Sequence, residues 1–118
     1  GEVFVDGSGV GDVGAVVMRD RKRLAEDGMV VVVLPVSSHD GRLLSRPEII
    51  TRGFIYVKES EELMRELENL SMDAAEGVAG RRGRDESDLK GAVKSAVSNY
   101  LFRTTKRNPM VIPVVTKL

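Results

Sequence analysis

With 118 residues, 42% of them hydrophobic and 31% charged, the chain suits one compact domain with a short arm and is not composed like a disordered segment. Its 18 basic and 18 acidic residues cancel, so bulk charge argues for no nucleic-acid partner and only a local patch can do so. The lack of cysteine excludes a disulfide framework and a thiolate zinc site, and it accords with a reducing cytosol.

Residues 1–14 read GEVFVDGSGVGDVG, a short extended piece at Val3–Val5 followed by a glycine-rich loop. The start at Gly1, without Met and without a basic-then-apolar leader, suggests no signal peptide and a piece of a longer protein. Ala15–Met18 reads as a strand extension and Arg19–Glu26 as a short helix ending before Gly28. Met29–Val36, MVVVVLPV, is the clearest strand, because stacked β-branched residues favour extended backbone. It has no polar side, so both of its faces are expected to be covered. It is also the longest apolar run, too short to cross a bilayer.

Asp40-Gly41 signals a hairpin turn, with Arg42–Ser45 returning antiparallel and Pro47 interrupting the return. Ile49-Ile50 and Phe54–Val57 continue extended, with a bulge or bend at Gly53. Ser60, followed by Glu61 and Glu62, opens a helix whose apolar stripe is Leu63, Leu67, Leu70, Ala74 and Val78. The GRRGR run at 80–84 is a loop. A second helix, capped by Asp85 or Ser87, carries Leu89, Ala92, Val93, Ala96, Val97, Tyr100 and Leu101 at helical spacing. Pro109 ends it, and Met110–Val115 is a final strand, placed at a sheet edge because Pro113 lacks a ladder donor.

The expected fold is α+β: a sheet of about three strands with both helices on one face, in the order ββααβ, after an extended glycine-rich segment. The second sheet face then lacks a cover, which points to an interface. Val31, Val33, Ile55 and Val57 are the residues expected in the core or at that interface.

No constellation of nucleophile, metal ligands or acid–base pair can be assembled. His39 beside Asp40 is a turn histidine, a weak metal signal without further ligands. Asp6 and Asp12 match neither a calcium loop nor a phosphate loop. Two basic clusters are candidates for RNA contact: Arg81, Arg82 and Arg84, and Arg103, Lys106 and Arg107. Ordinary loop solvation and favourable charge at a helix end are the simpler account of them.

Three stretches resemble one known family when taken together and in order. They are VDGSGVGDVGAVVMRDRKRLAEDGMVVVVL at 5–34, RPEIITRGFIYVKESEEL at 46–63 and TKRNPMVIPVV at 105–115. They look like the carboxyl end of ribonuclease J, a metallo-β-lactamase and β-CASP RNA nuclease. The resemblance implies that residues 1–27 are a linker from a catalytic core and that 28–118 form the last domain. It also implies a cytoplasmic enzyme that degrades and matures RNA with two divalent metal ions, zinc or manganese. The histidine and aspartate motifs of that chemistry have no counterpart here, so no catalytic residue or metal ligand carries over. For this domain the resemblance implies a part in forming a homo-oligomer, a dimer first, with RNA reached through the parent enzyme and no membrane. The rival expectation is an RNA-binding module that guides substrate to the core.

Overall fold

A computed structural model describes residues 27–53, 60–78 and 85–118. The expected strands at 3–5, 15–18 and 54–57, the helix at 19–26, the 1–27 linker up to residue 26, and the 80–84 loop lie outside the described residues. The elements are β1 (Met29–Val36), β2 (Glu48–Arg52), α1 (Ser60–Val78), α2 (Glu86–Thr105) and β3 (Met110–Lys117). This is the expected ββααβ order, with three strands and two helices.

The strand order is β2-β1-β3, so β1 is central and β3 an edge. β2 runs antiparallel to β1 and β3 parallel to it, and the two helices supply the crossover that a parallel partner requires. Residues directly opposite one another share a sheet face. Val30, Val32, Leu34 and Val36 of β1 and Val111 of β3 therefore point one way, and each is at most 2% exposed. Leu63 and Leu67 of α1 and Leu89, Val93, Val97 and Leu101 of α2 close over them as a single core, with Ile49 and Val115 at its margin.

The hydrogen-bond directions explain both strand prolines. Gly28 O accepts from Met110 N–H at 2.9 Å and Val36 O from Leu118 N–H at 3.0 Å. Backbone polar groups alternate sides along a strand, so even-numbered residues of β3 face β1 and odd-numbered ones face the free edge. Pro113 is odd, and its missing N–H costs no ladder bond. Pro35 of β1 faces the β2 side. There its carbonyl accepts from Leu44 N–H at 2.8 Å, and the ladder has already ended at the Val33–Glu48 pair.

The return strand is displaced from its expected place. A turn closes at Ser37–Arg42, with Gly41 at φ 75, but only Leu43 bridges back to Val36. From there to the Val33–Glu48 pair the return chain uses five steps against three on β1, so Leu44–Pro47 bulges out. Regular pairing resumes after buried Pro47, and Gly53 (φ 71) bends the chain away. Arg46 fixes the bulge to α1, donating to Glu68 Oε1 at 3.0 Å and to Asn69 Oδ1 at 2.8 Å.

α2 is capped at both ends. Asp85 caps it and accepts from Asp88 N–H at 3.0 Å, while Asp88 Oδ2 accepts from Asp85 N–H at 3.1 Å. Lys106 ends it in the left-handed conformation, φ 62, donating its N–H to Phe102 O. Glu86 holds the helix start to the sheet, meeting Lys90 at 3.1 Å and Lys117 of β3 at 3.5 Å.

Candidate functional site

Two surfaces stand out, on opposite sides of the layered domain. The first is the sheet face turned away from the helices. β1 contributes Met29, Val31, Val33 and Pro35 to it, all half-buried. Their partners are Ile50 of β2 and Met110, Ile112 and Val114 of β3, with Glu48, Arg52 and Thr116 at the margin. No described helix or strand packs over this face, and Val114 is 40% exposed. Val31 and Val33 thus lie outside the core, on the side that no described helix covers. Ile55 and Val57 lie outside the described residues.

The second surface is the outer side of α2 and the turn into β3. Arg103, Lys106 and Arg107 are all exposed there, and none has a carboxylate partner among the described residues. Arg103 Nε donates to Asn99 O at 3.4 Å, and Arg107 N–H to Thr105 Oγ1 at 3.1 Å. Lys106 Nζ sits 5.9 Å from the centre of the Phe102 ring, a cation–π contact. The turn is anchored to the start of β1 by Asn108 N–H donating to Asp27 Oδ2 at 2.8 Å. Arg81, Arg82 and Arg84 lie outside the described residues. Asp85, next in sequence, caps the end of α2 opposite Lys106, and a 20-residue helix separates those two residues by about 30 Å.

The charge of the two helices differs in sign. α1 carries Glu61, Glu62, Glu66, Glu68, Asp73 and Glu76 against Arg65 alone. From Leu89 to Leu118 there is no acidic residue, while Lys90, Lys94, Arg103, Lys106, Arg107 and Lys117 are all basic. Net neutrality conceals this division.

Phe102 is absent from the sequence-based candidates, and it is 54% exposed. A signal existed: the buried line is Leu89, Val93, Val97 and Leu101, and at 100° per residue Phe102 falls on the opposite side.

Among the described residues no group of three or more His, Cys, Asp or Glu could hold a metal ion. His39 is exposed in the 37–42 turn, its N–H donating to Ser37 Oγ at 3.0 Å. Asp40 Oδ1 accepts from Arg42 N–H at 3.1 Å, an ordinary turn contact. No described helix is long and apolar enough to cross a membrane. Among the described residues two carboxyls are perturbed, both at the α2 start. Asp85 is held below the usual aspartate range, chiefly by the Asp88 N–H, and Glu86 below the glutamate range by Lys90 and then Lys117. Both serve helix capping and tethering.

The described residues form a small mixed sheet with two helices on one face. The family model described as "Ribonuclease J C-terminal domain" matches residues 16–118. The chain belongs to that family. It is 41% identical over 118 residues to ribonuclease J 2 of Staphylococcus aureus strain NCTC 8325 / PS 47, and 42% identical to ribonuclease J 2 of Staphylococcus epidermidis strain ATCC 35984. Each alignment covers 100% of this chain and 21% of the relative, so the chain spans about a fifth of the length of the curated relatives it matches.

Proposed function

We propose that this chain is the non-catalytic C-terminal domain of an RNA-degrading and RNA-processing nuclease of the ribonuclease J type, and that it holds protomers together. The observation that carries the assembly role is the apolar sheet face that no described helix or strand covers. Hydrophobic surface of this continuity marks an interaction site on a soluble protein. A second copy is the fitting cover, because a two-fold axis lets one such patch meet itself. The strand edge is a poor alternative, since Pro113 places a missing donor in the middle of the free β3 edge.

In this reading the cutting chemistry, with two divalent metal ions of zinc or manganese type, belongs to the parent enzyme, which acts in the cytoplasm. No donor set among the described residues fits those ions. The domain contributes by fixing the arrangement of catalytic cores, which supports activity without touching the scissile bond.

Sedimentation equilibrium tests this. The chain should show a dimer mass that rises with concentration, and Val114→Lys should return it to monomer. Val114 is exposed enough for the charge to leave the fold intact. A dimer that tolerates Val114→Lys and Ile112→Lys alike sinks the sheet-face assignment.

A further inference from the structure

The outer side of α2 has four features that its role in the fold does not require. Acidic residues are absent over the whole stretch from Leu89 to Leu118. The helix dipole favours cations only in the last turn, so it accounts for Arg103 but not for Lys94, which is exposed near mid-helix. Phe102 points directly away from the buried line, where an aromatic ring gains nothing from the core. Lys106 occupies a left-handed position that glycine would fill without strain, and it sets its ammonium over that ring.

The neighbours of Phe102 leave its ring accessible. Helical side chains lean toward the N-terminus, and the neighbours one turn back on that side are half-buried Ser98 and exposed Asn99, both short, with Ser95 and Gly91 beyond them. Lys106 takes the other side, one turn on. The result is an exposed aromatic ring beside Arg103, Lys106 and Arg107, cations without a carboxylate partner among the described residues, with Lys94 on the opposite flank of the helix from Arg103. Acidic α1 packs beside α2.

A ring among cations is the chemistry that recognises an unpaired base between phosphates. A duplex keeps its bases stacked inside and offers such a ring nothing. We propose that the outer face of α2 binds single-stranded RNA, with Phe102 stacking on a base and Arg103, Lys106 and Arg107 meeting the flanking phosphates. The choice of RNA rests on the family membership. The surface lies on the opposite side of the domain from the open sheet face, so strand binding and assembly can fail separately.

The test is fluorescence anisotropy of the full chain with a short labelled oligouridylate, and with an RNA duplex of equal length, over a salt series. The single strand should bind more tightly than the duplex. Phe102→Ala should weaken binding by about tenfold, and Phe102→Leu should weaken it nearly as much, because leucine keeps the apolar area without a stacking face. Arg103→Gln or Arg107→Gln should each lower the slope of log affinity against log salt by about 0.7. Lys106→Gly separates binding from folding: it should raise Tm while weakening binding. No binding at low salt, equal binding of the duplex, or binding indifferent to Phe102→Ala overturns the proposal. Loss of dimer mass on Phe102→Ala also overturns it, since the face would then serve a second copy.

Discussion

Val30 and Val31 are adjacent, identical in side chain and members of the same strand, yet they have different work. Val30 is sealed beneath the helices at 0% exposure, while Val31 faces the uncovered side of the sheet and is only half-buried. The same division holds for Val32 and Val33. A run of like residues can therefore hold the domain together on one face and, in the assembly proposed above, offer a surface to a partner on the other. The difference arises from strand geometry alone, since successive side chains point to opposite faces.

The largest expected effect breaks the buried side. Leu34→Ala should cost about 2–5 kcal/mol of unfolding free energy, because the site is fully enclosed and the cavity cannot collapse. Val31→Ala should cost less than about 1 kcal/mol in the dilute monomer, where that face is already partly hydrated, and should weaken self-association instead. Urea unfolding of both variants at low and high concentration checks the pair. Equal losses at both concentrations would erase the distinction between the faces.

Next in size is Ser71. It is fully buried on α1, and its hydroxyl has no hydrogen-bond partner among the described residues. Removing an unsatisfied buried donor and acceptor relieves a desolvation penalty, so Ser71→Ala should raise stability by about 1 kcal/mol. Thermal unfolding reads this directly, and a lower Tm would mean that the hydroxyl has a partner after all.

The smallest effect concerns the α2 cap. The Asp85 carboxyl is held below its ordinary value of 3.8 in the folded chain, so the unfolded chain takes up a proton first as pH falls. Its stabilisation is complete well above 3.8 and fades as pH drops through the lowered folded value. Asp85→Asn keeps a good capping group, so it should change little at neutral pH and remove this part of the acid limb. Chemical unfolding near neutrality and in acid distinguishes the two chains.

Much of the architecture is legible in the sequence because its signals are local. The valine run, the periodic stripe of α2, the Asp85 cap and the edge placement of a proline-bearing strand all rest on short-range chemistry. The β2 start is not legible, since the bulge at Leu44–Pro47 depends on Arg46 reaching α1 some 22 residues away. The faces of β1 cannot be told apart from four identical side chains; only the register with Val111 and Ile112 decides them. On α1 the spacing points to a stripe through Leu70 and Ala74, whereas the most buried line runs through Leu63, Leu67, Ser71 and Ala75. A serine sits on that line, and composition gives no hint of it. At the basic end, Arg103, Lys106 and Arg107 are legible as a cluster. The exposed ring beside them emerges only once the buried side of α2 is known.

The most direct test of the central claim is the mass of the full chain by sedimentation equilibrium, measured beside Val114→Lys across the same concentrations. A dimer mass lost in the variant, with both chains equally folded by circular dichroism, is the predicted result. A monomer at every concentration, or a dimer that keeps its mass with lysine at that position, would contradict the assignment of the open sheet face to assembly.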